Sequence, residues 1–276
     1  MNKLILELKN IIKQNSGVSD LYKRNLLKDY LQILVLQYIY SHKKYNELVF
    51  YGGSVLAHCY ELPRLSEDLD FVDIKGEINN EKLAEELREY FQKEFGLKIK
   101  IKNQKFRIYL KFPILQELDL STESETELLF VKVEIFKYFD FCKKYNLETV
   151  PLFKYNKSIL IKTFDLPTLF ATKMRAILYR QWEKIGKDGK TIISVKGRDY
   201  FDLMWYLQKD VEVNLKCLEI NDKEKLKKKL LIIISKLDTR SVVLDLEHFI
   251  ADKNFTKDLG KNIKDILKNL VKQKMK

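Results

Sequence analysis

A short apolar segment that runs directly into two glycines limits the possible folds of this chain more than any other feature. Residues 47–51 read Glu-Leu-Val-Phe-Tyr, which predicts a short buried strand. Gly52 and Gly53 end that strand, and Ser54 begins a segment typical of a helix. Glycines at such a junction let the backbone approach a ligand closely, and the N–H groups at the start of the helix suit an anion such as phosphate. The sequence therefore predicts a strand–turn–helix unit that can bind phosphate.

A second predicted strand, at residues 69–74, carries two carboxylates, Asp68 and Asp70, around its start. Side chains two positions apart on a strand leave from the same face, so both carboxylates point the same way. Two oxygen ligands on one face suit Mg²⁺, which takes its other ligands from water and substrate phosphates. An isolated Asp-x-Asp is most often a surface pair and an isolated Gly-Gly-Ser a turn, but the two together favour a functional site.

The periodicity of apolar residues along the rest of the chain predicts an α+β protein with two domains. Segments with helical periodicity in the first half are residues 2–14, 20–41 and 79–95. Segments typical of strands are residues 98–102, 106–112, 128–136 and 158–163. After Pro167 the pattern is helical to the end of the chain. We therefore expect a sheet with flanking helices in a domain at residues 1–165, followed by a helical bundle at residues 166–276.

Composition and charge narrow the class of protein. Of the 276 residues, 46% are hydrophobic, which is enough to form a sizeable core and excludes a disordered chain. The net charge of +12 suggests a polyanionic partner such as nucleic acid or a nucleotide, although lysines on solvated helix faces would give the same charge. The apolar runs are far shorter than the ~20 residues of a membrane span, and no secretory signal pattern is present. We expect no membrane partner.

The three cysteines, Cys59, Cys142 and Cys217, are far apart in the sequence. They give neither a disulfide framework nor a Cys-x-x-Cys metal pair. The sequence therefore favours a reducing compartment and a cytoplasmic protein.

The glycine turn and the two carboxylates are parts of one longer motif. The motif is Gly-Gly-[Ser/Thr] followed by Arg-x-Ser-x-Asp-x-Asp, and it is matched by Gly52, Gly53, Ser54, Arg64, Ser66, Asp68 and Asp70. It resembles the first motif of the AbiEii/AbiGii-type nucleotidyltransferases, the toxins of type IV toxin–antitoxin systems. These are related to the MenT toxins and belong to the DNA polymerase β-like nucleotidyltransferase superfamily. The Arg-x-Ser element makes the match specific, because most of the superfamily lacks it.

Two motifs in the predicted helical domain extend the resemblance, which covers residues 45–205. One is similar to Leu-x-Ala-x-Lys-x-x-Ala-[Ile/Leu] and is matched by Leu169, Ala171, Lys173, Ala176 and Ile177. The other, at residues 196–203, is similar to Lys-x-Arg-Asp-x-[Phe/Tyr]-Asp-Leu. Taken alone, Lys173 could be a lysine whose stem lies on apolar surface, and Asp199 and Asp202 could cap a helix. The resemblance implies that Lys173 contacts a triphosphate and that Asp199 is an active-site residue, as a general base or as the residue that orients Lys173.

A third carboxylate is expected from a neighbouring strand, as in the superfamily. Glu134 is the candidate for this metal ligand, although a surface pair with Lys132 would look the same in the sequence. Asp199 is the alternative third ligand, and Asp73 and Asp119 are weaker competitors.

The resemblance implies a Mg²⁺-dependent nucleotidyltransferase toxin that transfers a nucleoside monophosphate from an NTP to the 3′ end of tRNA, which inhibits translation and growth. In that reaction Asp68 and Asp70 would be catalytic metal ligands, and the turn at residues 52–54 with Arg64 and Ser66 would bind the nucleotide. A cognate antitoxin is also expected. The histidines are assigned no chemistry, and His58 is expected to pack. Two alternatives stay open, a toxin that nucleotidylates a protein and a catalytically inactive nucleic-acid-binding module.

Overall fold

The protein contains both helices and strands. Its computed structural model describes residues 3–122, 128–180, 183–185, 189, 191–220 and 222–275. The helices are α1 (Lys3–Gln14), α2 (Asp20–Ser41), α3 (Gly52–Cys59), α4 (Asn80–Phe95), α5 (Leu166–Tyr179), α6 (Gly197–Gln208), α7 (Lys223–Ser235), α8 (Thr239–Leu246) and α9 (Lys253–Lys274). The strands are β1 (Val49–Tyr51), β2 (Asp68–Asp73), β3 (Lys100–Gln104), β4 (Arg107–Phe112), β5 (Leu129–Lys137), β6 (Leu147–Lys154), β7 (Lys157–Phe164), β8 (Lys184–Ile185) and β9 (Thr191–Ile193). This content confirms the predicted α+β class.

A mixed sheet positions the predicted site. Within the described residues, seven strands pair in the order β3-β4-β5-β2-β1-β7-β6. The central strand β2 runs antiparallel to β1 and parallel to β5. Its apolar residues Leu69 and Phe71 are fully buried, which fixes the alternate residues Asp68 and Asp70 on the opposite face. The carboxylates therefore lie between the end of β1 and the side chains of β5.

The chain divides into two compact units. The first consists of Met1–Phe139 and Glu148–Thr163, and the second of Asp140–Leu147 and Phe164–Lys276. Residues 140–147 thus belong to the second unit, although they precede the predicted domain boundary at residue 165. Each unit has its own buried apolar side chains, including Phe71 and Val133 in the first and Phe201 and Leu230 in the second.

Helix α5 of the second unit starts at a position that its own sequence specifies. Asp165 accepts a hydrogen bond from the Thr168 N–H at 3.1 Å, and Pro167 occupies the first turn of α5, where its missing N–H costs nothing. This start places Lys173 in the middle of α5. None of the described helices is long and apolar enough to cross a membrane.

Two strand regions were not predicted. β6 contains Pro151 and buries only one of its eight residues, so neither its composition nor its pattern indicates a strand. β8 and β9 form a short hairpin between α5 and α6, so the prediction of an entirely helical chain after Pro167 was wrong. Strands of two and three residues are too short to show a recognisable period.

The structure joins Cys142 to Cys217 in a disulfide, which the sequence analysis did not expect. The two residues are 75 positions apart, and both belong to the second unit. Cys217 lies in a short 3₁₀ helix, Leu215–Cys217. Sequence spacing could not reveal this pair, because only the fold brings the two segments together.

Candidate active site

The glycine turn lies directly against one of the predicted metal-binding carboxylates. The antiparallel register of β1 and β2 pairs Tyr51 with Asp70. The next residue, Gly52, has φ = +80°, a left-handed conformation that favours glycine. A Cβ atom on Gly52 would overlap Oδ2 of Asp70 and lie 3.1 Å from its Cγ. Glycine is therefore needed here for the turn and the carboxylate to lie side by side.

The second glycine makes a similar approach to the Arg-x-Ser segment. A Cβ atom on Gly53 would lie 2.7 Å from Nη2 of Arg64 and 3.2 Å from Oγ of Ser66. Both of those side chains are buried. The hydroxyl of Ser54 donates a hydrogen bond to the backbone carbonyl of Asp68, which ties the turn to β2. The guanidinium thus lies at the N-terminus of α3, where the helix dipole also favours an anion.

Strand β5 adds a cation and a third carboxylate. Its parallel register with β2 pairs Asp68 with Lys132 and Asp70 with Glu134. The Lys132 Nζ lies 2.9 Å from Oδ2 of Asp68 and 3.0 Å from Oε1 of Glu134. Arg107 on β4 donates through Nε to Oε1 of Glu134 at 2.7 Å. Glu134 is therefore next to Asp70 in register, but it already pairs with two cations.

Burial and charge pairing shift the pKa values at this site. Burial raises the pKa of Asp68 above its ordinary value, and the ammonium of Lys132 opposes that effect. Burial also disfavours the charged form of Lys132, but the carboxylates of Asp68 and Glu134 outweigh burial and raise its pKa. Lys132 is therefore protonated and reduces the repulsion between carboxylates that share one face of the sheet.

The donor chemistry of the site fits Mg²⁺. Asp68 and Asp70 offer carboxylate oxygens from one face of β2, and oxygen is the ligand that Mg²⁺ prefers. Among the described residues no three His, Cys, Asp or Glu side chains are grouped as a ready-made metal site. Between Asp68 and Glu134, the ammonium of Lys132 supplies a positive charge.

A buried polar network supports the segment that carries Arg64 and Ser66. Gln32 on α2 donates hydrogen bonds to the carbonyls of Ser66 at 3.2 Å and Glu67 at 3.0 Å. Its amide oxygen lies 3.0 Å from Nε2 of His58. Burial lowers the pKa of His58 to about 4, against the opposing charge of Asp29, so the ring is neutral at pH 7. Sequence analysis missed Gln32 because a glutamine within an apolar helix carries no recognisable motif.

In the second unit, Lys173 lies between two buried aspartates. Its Nζ is 2.7 Å from Oδ1 of Asp199 and 2.8 Å from Oδ2 of Asp202. Arg180 places Nη1 3.0 Å from Oδ2 of Asp199. The i, i+3 spacing on α6 lets both aspartates face one lysine of α5. The structure thus brings Lys173 and Asp199 together and adds Arg180, which no motif in the sequence indicated.

These aspartates do not cap α6. The carboxylate that caps the helix belongs to Asp245, which accepts a hydrogen bond from the Arg198 N–H at 2.9 Å. Burial alone would raise the pKa of Asp199, but Lys173 and Arg180 lower it to about 2. Asp199 is therefore ionised and weakly basic at pH 7, which suits the orientation of Lys173 better than the removal of a proton.

The two weaker candidates are Asp73, the last residue of β2, and Asp119, which lies in a loop. The carboxylate of Asp73 accepts hydrogen bonds from the N–H groups of Gly76 at 2.9 Å and Ile78 at 2.7 Å. Asp119 has φ = +54° in the connection between β4 and β5. The Asp73 carboxylate thus has a clear structural use, since its hydrogen bonds order the loop that follows β2.

Comparison with known proteins finds a matching family model and similar solved structures. The family model described as nucleotidyl transferase AbiEii toxin, type IV TA system, matches residues 35–276. A putative nucleotidyltransferase from H. pylori is 19% identical, with 90% of this chain and 96% of that chain covered and a TM-score of 0.45. JHP933 from Helicobacter pylori is 20% identical, with 90% and 94% covered and a TM-score of 0.47. No curated protein shows a significant match.

Proposed function

This chain belongs to the AbiEii family of nucleotidyltransferase toxins of type IV toxin–antitoxin systems, and from that premise we propose that it transfers a nucleoside monophosphate from an NTP to the 3′ end of tRNA in a Mg²⁺-dependent reaction. The observation that carries the proposal is the close approach of the Gly52 turn to the Asp70 carboxylate. It puts a phosphate-binding backbone beside a potential metal ligand, and nucleotidyl transfer needs both.

Different residues of the first unit would bind the phosphates of the nucleotide and the metal ion. Gly52 and Gly53 let the turn lie against the Asp70 carboxylate and the Arg64 guanidinium. The backbone N–H groups of this turn would bind the β- and γ-phosphates, and Arg64 would add a charge-assisted contact. Asp68 and Asp70 would hold Mg²⁺, with Glu134 of the neighbouring strand β5 as the third carboxylate. When bound, the metal lowers the pKa of the attacking hydroxyl and offsets the charge of the leaving group.

The proposed chemistry is a single displacement at the α-phosphorus. A ribose hydroxyl oxygen of the acceptor forms a new bond to that phosphorus, and the bond to the bridging oxygen of the β-phosphate breaks. Pyrophosphate leaves, and the hydroxyl proton passes to solvent. No covalent bond to the protein forms, so the residues act by positioning and by charge.

Lys173 is proposed to contact a phosphate of the substrate, and Asp199 to orient that lysine. The two ion pairs of Lys173, at 2.7 Å and 2.8 Å, hold its ammonium group in one position. Since the pKa of Asp199 is lowered to about 2, we do not assign proton removal to Asp199.

The positive charge of the chain supports tRNA as the acceptor. The net charge of +12 includes eight lysines against three aspartates in residues 251–276, a net +5 for that segment. Such an excess favours a polyanion such as tRNA over a neutral protein surface. We propose that the modified tRNA cannot be aminoacylated, so that translation and growth stop in the cytoplasm until a cognate antitoxin intervenes.

A labelled-nucleotide assay tests the proposal. Purified protein is incubated with Mg²⁺, each α-labelled NTP, total tRNA and cell lysate, with the Asp70→Asn variant as the control. Label that migrates with tRNA and is absent with Asp70→Asn supports the proposal. Label on protein alone would replace tRNA by a protein acceptor. Growth arrest by Asp70→Asn equal to that of the wild type would reject catalysis as the toxic activity.

A further inference from the structure

A small cavity in the second unit is bordered by two cations. It has a volume of about 170 Å³, and the polar residues that line it are Arg180, Ser194, Lys196, Asp199 and Tyr200. Because a water molecule takes up roughly 30 Å³, the cavity has room for a phosphate group and a few waters. Its size alone does not identify a ligand, but positive charges outnumber negative ones around it.

Lys196 is the cation that lacks a carboxylate partner. Its side chain is half-buried immediately before α6. The carboxylates around it are already engaged, since Asp199 pairs with Lys173 and Arg180, and Asp245 pairs with Arg198. Among the described residues no Asp or Glu pairs with the Lys196 ammonium. Burial and the nearby Arg198 lower the pKa of Lys196, which means that its charged form is disfavoured where it lies. A bound anion would stabilise that charged form.

Arg180 presents the second cation. It directs Nη1 to Asp199 at 3.0 Å, and its side chain remains 40% exposed. A guanidinium has five N–H donors in a planar fork, so one ion pair leaves capacity for an oxyanion. With Lys173, Arg180 and Lys196 set against Asp199 and Asp202, the cluster has three positive charges and two negative ones.

We propose that Arg180 and Lys196 form a subsite for a phosphate group of the substrate. The excess positive charge, the unpartnered lysine and a cavity of suitable size all point to a small oxyanion. The inference depends on the proposed transfer reaction for the source of that phosphate. The group belongs either to the nucleotide or to the backbone of the RNA acceptor, and these two sources share one chemistry.

Binding of inorganic pyrophosphate tests the subsite without requiring catalysis. Affinity is measured by calorimetry in EDTA, so that no metal contributes, for the wild type, Lys196→Gln, Arg180→Gln and Lys209→Gln. Lys209 is an exposed lysine at the other end of α6 and serves as the matched control. We expect each subsite variant to weaken pyrophosphate binding about tenfold, the loss expected for one charged hydrogen bond, and the control to bind like the wild type.

Thermal stability separates this role from a structural one. Lys196→Gln removes a half-buried charge without a partner, so its melting temperature should equal or exceed that of the wild type. A lower melting temperature with unchanged pyrophosphate affinity would overturn the proposal, as would equal affinity in all four proteins.

Steady-state kinetics then identifies the source of the phosphate. A tenfold rise in KM for the NTP alone assigns the subsite to the nucleotide, and a rise in KM for tRNA alone assigns it to the acceptor. If the wild type transfers no nucleotide but pyrophosphate binding still depends on Lys196, the subsite stands and the proposed reaction fails. If transfer proceeds and neither KM changes in Lys196→Gln, the subsite fails and the reaction stands.

Discussion

Replacement of Gly52 by alanine tests the geometry on which the proposed reaction depends. The new Cβ would overlap Oδ2 of Asp70 and lie 3.1 Å and 3.2 Å from its Cγ and Cβ. The carboxylate must therefore move, because the turn that carries the Cβ is fixed by the pairing of Tyr51 with Asp70. A displacement of about 1 Å in an active site can reduce a rate by about 10²-fold. We expect Gly52→Ala to lower kcat for nucleotide transfer by about two orders of magnitude.

Gly96 provides the matched control. It ends α4 with φ = +61°, and a Cβ placed on it would have no atom within 4 Å. Both alanine variants carry the cost of a left-handed alanine, roughly 1–2 kcal/mol, so both should lose a few degrees in melting temperature. Gly52→Ala should lose somewhat more, because it also displaces the Asp70 side chain. Only Gly52→Ala should lose activity. If the two variants have the same kcat, the close contact between the turn and the Asp70 carboxylate is irrelevant to catalysis.

Three further predictions follow from the ion pairs. Lys132→Met removes the ammonium between Asp68 and Glu134, so we expect tighter Mn²⁺ binding, measured by electron paramagnetic resonance; unchanged affinity would mean that Lys132 does not compete with metal. Lys173→Met leaves two buried aspartates without their lysine, and the free energy of unfolding should fall by about 3–5 kcal/mol in urea titrations, while a fall below 1 kcal/mol would contradict the pairing. Folding lowers the pKa of Asp199 to about 2, from about 3.9 for an aspartate in the unfolded chain. The contribution of ionised Asp199 to the free energy of unfolding is therefore complete above about pH 4 and is lost as the pH falls from about 4 to 2. Asp199→Asn should flatten the pH dependence of stability in that range only, and a change confined to neutral pH would refute the assignment.

Local sequence patterns were enough to locate the parts of the site. The left-handed turn at Gly52 follows from two glycines at the end of a strand, and the shared face of Asp68 and Asp70 follows from the two-residue period of β2. The helical pattern after Pro167 also correctly placed Lys173 and Asp199 on helices, which are α5 and α6. The motifs also led to the correct family, since each motif residue has a fixed spacing along the chain.

Other features depended on contacts between distant segments. β6 was missed because it contains Pro151 and few buried residues, and the Cys142–Cys217 disulfide because 75 positions separate its ends. The sequence left open whether Lys132 and Glu134 form a plain surface pair. Only the register of β5 beside β2 shows that Lys132 also binds Asp68.

The sequence by itself determined the turn, the strand that bears the carboxylates, and the helices that carry Lys173 and Asp199. These depend on backbone conformation and side-chain period, which neighbouring residues encode. The tertiary structure alone decided which charges meet: Lys132 with two carboxylates, and Arg180 with Asp199. Charge pairing and pKa depend on distances of a few ångströms and on burial, and both are set only when separate elements pack together.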